Sequence, residues 1–257
     1  MTKFNFITSF LNQVKTRPNN IFLICEDKQI SYKEFYDLCI KFRDYVISYN
    51  LKKTPIVCIL ETKKVFDYVA MIGTILAGGH YVPINKEMPL KNINNVTKIS
   101  KANFIIVDES NRDLTKRLTS KLIILEKKKI LLKNKFLNKK RRYPLSKLVY
   151  ILFTSGTTGE PKGVPISKEN LNNYLKWLIK KINLKNEENC SQFISISFDV
   201  SVCDFYVSIC SGGKLFIPTK FDMTFPGKML FDNKISYFVT TPSLIDHIDN
   251  SNGLNKK

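Results

Sequence analysis

Residues Leu148 to Val164 read LVYILFTSGTTGEPKGV, an apolar run that breaks into small and hydroxyl-bearing residues and closes on Pro-Lys-Gly. The run from Leu148 to Phe153 is short and apolar throughout, which favours a strand buried on both faces. The glycines that follow let a ligand approach the main chain closely, so that successive N–H groups can converge on one anion. Further donors come from the hydroxyl groups and the lysine of the same stretch: Thr154, Ser155, Thr157, Thr158 and Lys162. The stretch therefore predicts a phosphate-binding loop.

The loop differs from a Walker A loop, in which lysine directly follows the second glycine and precedes Ser or Thr. Here Lys162 follows Pro161 and precedes Gly163. An ordinary turn is the alternative interpretation, because Gly, Ser and Thr dominate turns of every kind. Ser167 is a candidate N-cap for a helix with an apolar stripe, formed by Leu171, Tyr174, Leu175, Leu178, Ile179 and Ile182. We therefore expect the loop to join a buried strand to a helix, where open α/β sheets bind ligands.

Strand and helix patterns alternate along the rest of the chain. The predicted strands are Pro55–Leu60, His80–Ile84, Phe104–Val107, Leu122–Leu125, Gln192–Ser197, Lys214–Pro218 and Ser236–Val239. The predicted helices are an amphipathic opening helix, Lys63–Ala77, Val200–Cys210 and a last helix capped by Thr241. This alternation predicts an α/β fold with largely parallel sheets flanked by helices.

Four motifs occur in the order found in the adenylate-forming, or AMP-binding, superfamily, and this chain is identified as resembling it. They are ISYKEF at Ile30–Phe35, ILAGGHYVPIN at Ile75–Asn85, TSGTTGEPKG at Thr154–Gly163 and SFDVSVCDFYVSICSGGKL at Ser197–Leu215. The superfamily groups acyl-CoA ligases, luciferases and the adenylation domains of nonribosomal peptide synthetases. The resemblance implies ATP and Mg²⁺ as cofactors. It assigns the ATP phosphates to Thr154, Ser155, Gly156, Thr157, Thr158, Gly159 and Lys162.

Asp199 stands where amino-acid-activating members carry the Asp that receives the substrate ammonium group. Acyl and aryl ligases tend to carry a His near that place, so Asp199 favours an amino acid as substrate. The resemblance places Val200, Cys203 and Thr240 with Asp199 in the substrate pocket. The alternative is that Asp199 caps the following helix and that the other residues belong to the core. Several segments also resemble D-alanine:carrier-protein ligases.

The implied reaction joins ATP and an amino acid to give aminoacyl-AMP and pyrophosphate, followed by transfer to the phosphopantetheine thiol of an acyl carrier protein. The motifs that hold Mg²⁺, adenine and ribose in the family, and its catalytic lysine, have no counterpart before Lys257. We therefore expect residues 1–257 to form a partial N-terminal adenylation domain without the C-terminal catalytic domain, inactive alone, and assign no catalytic residue. A separate chain carrying the other half is one possible partner. The alternatives are an acyl- or aryl-CoA ligase and a non-catalytic remnant acting as a binding module.

The formal net charge of the 257 residues is +19, and much of it is concentrated in Lys121–Arg142. No nucleic-acid-binding motif accompanies this charge, so we predict a solvated linker near residues 126–147 rather than a nucleic-acid site, although an acidic carrier protein would be attracted to it. The six cysteines lack metal spacing and predict reduced, buried thiols in a cytoplasmic protein. No stretch is long and apolar enough to predict a membrane span. His80 and His247 are expected to serve packing or the surface, and Asp204 is expected to lie on a helix surface.

Overall fold

The computed structural model describes residues 4–108, 112–132, 143–155, 160–183, 188–245 and 248. In chain order the helices are α1 Phe6–Thr16, α2 Tyr32–Ser48, α3 Val65–Leu76, α4 Leu90–Ile99, α5 Arg112–Thr115, α6 Lys127–Leu132, α7 Lys168–Lys181, α8 Ser201–Ser211, α9 Lys220–Thr224 and α10 Pro226–Asp232. The strands are β1 Ile21–Cys25, β2 Lys28–Ser31, β3 Ile56–Leu60, β4 His80–Ile84, β5 Phe104–Val107, β6 Ile123–Glu126, β7 Leu148–Ser155, β8 Pro161–Ser167, β9 Asn189–Ser191, β10 Lys214–Ile217 and β11 Tyr237–Phe238. The chain divides into unit 1, Met1–Phe35 with Asn172–Lys257, and unit 2, Tyr36–Leu171.

Unit 1 holds a sheet with strand order β11-β9-β10-β1-β2. Its strands pair in parallel except for the antiparallel hairpin β1–β2. Aromatic side chains fill the core beside this sheet: the ring centroids of Phe22 and Phe35 are 4.8 Å apart, and those of Phe6 and Tyr206 are 5.2 Å apart. The buried Tyr32 hydroxyl lies 3.0 Å from the Ser208 carbonyl oxygen and 2.9 Å from that of Gly213. The phenol therefore fixes the end of α8 in the core.

The helix predicted over Val200–Cys210 is confirmed as α8, and all of its residues are buried. The strand predicted over Gln192–Ser197 is wrong, because the strand in this region is β9 and ends at Ser191. The Ser195 and Ser197 hydroxyls lie 2.8 Å apart, and the Ser197 N–H donates to the Ser195 hydroxyl oxygen at 3.2 Å. Serine side chains that bond locally in this way offer the backbone an alternative to the strand ladder.

Unit 2 holds a sheet with strand order β6-β5-β3-β4-β7-β8. The first five strands pair in parallel and β8 pairs antiparallel with β7. The continuous apolar sequences of β3, β4 and β5 place side chains on both faces of the sheet, and their core includes Cys58, Val82 and Ile105. Both units thus confirm the predicted α/β class with largely parallel sheets.

The basic segment near 126–147 is ordered where it is described. Residues 127–132 form α6, with Ile130 buried, where a solvated linker was expected. The Tyr143 hydroxyl donates to the Ala77 carbonyl oxygen at 2.8 Å. Residues 133–142 lie outside the described residues. The segment begins as a short helix because Ile130 can bury its side chain while the neighbouring lysines remain at the surface.

All six cysteines are buried thiols, as the sequence predicts. Among the helices in the described part of the chain, none combines the length and apolarity that a membrane crossing requires.

Two buried titratable groups in unit 2 oppose each other in their effect on stability. Burial raises the pKa of Asp67 to about 7, although the carboxylate accepts the Thr62 N–H at 2.7 Å. Burial lowers the pKa of His80 to about 4, and the His80 Nδ1 lies 3.0 Å from the Ser146 hydroxyl oxygen. The contribution of Asp67 to the free energy of unfolding is complete below about pH 4 and is lost as the pH rises to about 7. The His80 contribution is complete above about pH 6.5 and is lost as the pH falls to about 4.

Asp67→Asn is therefore expected to leave the His80 effect unopposed, so that unit 2 becomes more stable as the pH rises from about 4 to about 6.5. The unchanged chain is expected to show a weaker dependence over that range. The measurement is native-state amide hydrogen exchange of peptides from β3 and β4, corrected for intrinsic exchange at each pH. Parallel pH profiles for the two proteins would contradict the assignment.

Candidate functional site

The loop predicted to bind phosphate joins two antiparallel strands. Ser155 at the end of β7 pairs with Pro161 at the start of β8, and the ladder continues to the pair Leu148–Ser167. The expectation that the loop leads directly into a helix is therefore wrong, because β8 intervenes and α7 begins at Lys168. Ser167 does cap that helix, since its hydroxyl accepts the Asn170 N–H at 3.0 Å.

Two of the residues predicted to contact phosphate lie opposite each other at the mouth of this hairpin. Thr154 and Lys162 are register partners across β7 and β8, and both are exposed. Directly opposed residues of an antiparallel pair project from the same face of the sheet. The hairpin thus presents a hydroxyl and a positive charge on one side, beside the loop. Gly156, Thr157, Thr158, Gly159 and the side chain of Ser155 lie outside the described residues.

The base of the hairpin is held by close packing around Gly163. A Cβ atom at Gly163 would lie 3.0 Å from the Phe153 Cζ and 3.1 Å from the Ile151 Cγ2. Phe153 and Ile151 in turn pack against the apolar core of unit 2. Directly before β8, the Glu160 carboxylate accepts a hydrogen bond from the Asn95 side chain in α4 at 2.7 Å. Sequence reasoning missed this contact, since the two residues are far apart in the chain.

The residues predicted to bind the substrate surround the start of α8 in unit 1. Asp199 and Val200 are exposed, and the Asp199 carboxylate accepts the adjacent Val200 N–H at 2.9 Å. Val200 is the N-cap residue of α8 and makes no side-chain capping bond. Asp199 therefore does not cap the helix, and its carboxylate is open to solvent. Cys203 is buried, with its Sγ 2.9 Å from the Tyr174 hydroxyl, and burial raises the pKa of its thiol.

Thr240 follows β11 and lines a cavity of about 410 Å³. The wall includes the hydroxyl-bearing residues Thr240, Thr241 and Ser243 and the apolar residues Phe193, Ile194, Met223 and Leu244. The Thr240 hydroxyl oxygen is buried and makes no hydrogen bond within the described structure. An unpaired buried hydroxyl is costly, so Thr240 is a polar group for which the described residues supply no partner. Asp199, Val200 and Cys203 do not line this cavity.

Asp204 is fully buried, so the expectation that it lies on a helix surface is wrong. Its carboxylate accepts the Val239 N–H at 3.0 Å, which joins the first turn of α8 to the residue before Thr240. The reason is that α8 is surrounded by core and has no solvent-facing side. The signal in the sequence is that Asp204 is the one charged residue within the eleven residues of α8.

The described residues contain no group of three or more His, Cys, Asp or Glu side chains that could hold a metal ion. The β7–β8 hairpin fits a nucleotide phosphate, because it carries a lysine and a hydroxyl beside a glycine-rich sequence. Lysine is a common phosphate ligand that acts as a point charge.

The family described as AMP-binding enzyme matches residues 10–257, nearly the whole chain. The chain belongs to the AMP-binding enzyme family. Its relatives include gramicidin S synthase 1 of Brevibacillus brevis, 26% identical over 245 residues, which are 93% of this chain and 22% of that protein. Surfactin synthase subunit 2 of Bacillus subtilis (strain 168) is 26% identical over 98% of this chain and 7% of its own length.

Solved structures share the fold of this chain. The Klebsiella oxytoca NpsA N-terminal subdomain aligns with a TM-score of 0.82 at 20% identity, over 98% of this chain and 65% of that chain. The Vibrio cholerae adenylation domain AlmE, solved with glycyl-adenosine-5'-phosphate, aligns with a TM-score of 0.79 at 21% identity, over 96% of this chain and 51% of that chain. The chain thus spans about a fifth of gramicidin S synthase 1 and about half of AlmE.

Proposed function

We propose that this chain contributes the phosphate-binding hairpin and part of the substrate pocket to an amino-acid adenylation domain. The observation that carries the proposal is the pairing of Thr154 with Lys162 at the mouth of the β7–β8 hairpin, in a chain whose relatives are peptide synthetases. In the proposed reaction an amino-acid carboxylate attacks the α-phosphate of ATP, giving aminoacyl-AMP and releasing pyrophosphate. Because the chain spans a small part of its relatives, the complete reaction is proposed for residues 1–257 together with the parts that such relatives carry.

The hairpin binds the phosphates in this proposal. Lys162 offers a cation that offsets the charge of the phosphate oxygens, and Thr154 offers a hydroxyl donor on the same face. The residues at the loop tip, Gly156, Thr157, Thr158 and Gly159 with Ser155, complete the proposed cradle through backbone N–H groups and hydroxyls. Phosphoryl and nucleotidyl transfers depend mainly on such positioning and charge stabilisation. Mg²⁺ is proposed as the accompanying ion.

Asp199 receives the substrate ammonium group in this proposal. Its carboxylate is exposed and already accepts the Val200 N–H, which fixes its position at the start of α8. Val200, Cys203 and Thr240 are proposed as walls for the substrate side chain. An acyl- or aryl-CoA ligase is not favoured, because an anionic residue at this place would repel a carboxylic acid that lacks an ammonium group.

D-alanine is the first amino acid to test, because several segments of the chain resemble D-alanine:carrier-protein ligases. The proposed acceptor is the phosphopantetheine thiol of an acyl carrier protein, a partner that the net charge of +19 would attract if it is acidic. Residues 1–257 are proposed to act as a partial N-terminal adenylation domain in the cytoplasm.

Lys162→Ala is expected to weaken ATP binding roughly tenfold or more, because a charged hydrogen bond contributes about 1.5–3 kcal/mol. The measurement is titration calorimetry of the purified chain with Mg-ATP at two salt concentrations. Lys98→Ala is the matched control, because Lys98 is an exposed lysine in α4 of the same unit. Failure of the unchanged chain to bind, or equal losses in both variants, would contradict the proposed phosphate site.

A further inference from the structure

The carboxyl group of Asp204 connects two elements that carry proposed substrate residues. Asp204 directly follows Cys203 in the first turn of α8, and its Oδ1 accepts the Val239 N–H at 3.0 Å. Val239 directly precedes Thr240, whose hydroxyl oxygen is buried without a partner in the described structure. The bond crosses 35 residues of sequence. Among the described residues, Asp204 is the acceptor that the structure shows for the Val239 N–H.

The surroundings of Asp204 oppose ionisation of its carboxyl group. Burial raises its pKa well above the usual range of a carboxyl group. The titratable groups that face it are the thiols of Cys190 on β9 and Cys203 on its own helix and the phenol of Tyr237 on β11. Burial also raises the pKa of each of these groups, so all three are uncharged near neutral pH. No cation among the described residues pairs with Asp204, and its Oδ2 is buried without a partner.

We propose that Asp204 is a positioning residue that holds Val239 against α8 and thereby sets the position of Thr240 in the wall of the 410 Å³ cavity. This inference rests on the proposed function, because it gives the Thr240 hydroxyl a part in selecting the substrate side chain. A backbone N–H bonded to a buried carboxyl exchanges that bond for one with water only when the structure opens locally, so the position of the residue that follows is restricted. Asp204 acts through Thr240 and does not itself line the cavity.

Three variants separate positioning from simple packing. Asp204→Leu keeps a similar volume but removes the acceptor of the Val239 N–H. Asp204→Asn keeps an acceptor oxygen and a neutral side chain. Ser208→Ala removes another buried hydroxyl of α8, one that bonds within the helix to the Phe205 carbonyl oxygen at 2.9 Å. It therefore reports the effect of losing a polar atom from this helix without touching Val239.

The first measurement is hydrogen exchange of the Val239 amide by nuclear magnetic resonance. Asp204→Leu is expected to accelerate this exchange on the order of tenfold or more relative to the other amides of unit 1. Asp204→Asn and Ser208→Ala are expected to leave it near the unchanged value. Unaltered exchange in Asp204→Leu would overturn the proposal, and this result does not depend on any ligand.

The second measurement is binding of a panel of aminoacyl-sulfamoyl adenosines that differ in the amino-acid side chain. Asp204→Leu is expected to weaken the preferred analogue roughly tenfold and to reduce the preference among side chains, with Asp204→Asn restoring both. ATP affinity is expected to stay the same. If the unchanged chain binds the panel and Asp204→Leu keeps the same preference, the proposal is overturned while the proposed function stands. If the unchanged chain binds no analogue, the proposed function fails and with it the selective part assigned to Thr240.

Discussion

Gly213→Ala is expected to lower the free energy of unfolding of unit 1 by about 3 kcal/mol or more. A Cβ atom at this position would overlap the Glu188 carbonyl oxygen and would lie 2.8 Å from the carbonyl carbon. That carbonyl accepts the Lys214 N–H at 3.1 Å, at the start of the β9–β10 pairing. Because the clash is with backbone rather than with a side chain, relief requires the two strands to separate locally.

Urea unfolding followed by the fluorescence of Trp177 measures this effect, since Trp177 is the one tryptophan in the sequence and belongs to unit 1. Ser211→Ala is the control. It removes the hydroxyl that accepts the Gly213 N–H at 3.3 Å without adding an atom, and is expected to cost about 1 kcal/mol. If the two variants lost equal free energy of unfolding, the close approach to the Glu188 carbonyl group would not be the reason that position 213 requires glycine.

Asp199→Asn is expected to weaken binding of an aminoacyl-sulfamoyl adenosine roughly tenfold to a hundredfold, because it replaces a charged hydrogen bond with a neutral one. Asparagine keeps an oxygen that can accept the Val200 N–H, so the start of α8 should be unchanged. An analogue that lacks the α-amino group should bind the variant and the unchanged chain equally. The difference between the two analogues therefore isolates recognition of the ammonium group.

Asp232→Asn is a suitable control, since Asp232 is an exposed carboxylate of unit 1 whose Oδ2 pairs with the Lys228 Nζ at 2.6 Å. It is expected to leave both affinities unchanged. A loss of equal size for the analogues with and without the amino group would show that Asp199 acts through local structure. If neither analogue lost affinity for the Asp199→Asn variant, Asp199 would not belong to the substrate pocket.

The sequence predicted the buried strands because their apolar runs are continuous, as in β3 and β5. It missed β8, whose Pro161, Gly163 and Pro165 are poor strand formers and resemble loop residues. The seven residues of β8 follow β7 after a short loop and pair with it, and this pairing overrides their weak preference for a strand. Whether these residues form a strand depends on the partner strand, so the residues of β8 alone do not predict it.

Within the candidate site, sequence motifs located Thr154, Lys162 and Asp199, and the structure places the first two on one face of the hairpin. Their proposed roles remain predictions. The connection from Asp204 to Val239 could not be anticipated, because it joins residues 35 positions apart through a side chain that pattern reasoning assigned to the surface. Burial of a polar residue depends on what packs around a helix, which periodicity alone does not report.

Strand β8 is the last strand of its sheet, and the composition that hid it from pattern reasoning has a consequence for association between chains. An outer strand exposes N–H and carbonyl groups that can recruit a strand from another molecule. Proline lacks the N–H group, and a charged side chain resists burial, so Pro161, Pro165 and the exposed Lys162 make this border a poor template. The lysine proposed to attract phosphate therefore also helps to keep two copies of the protein from joining edge to edge.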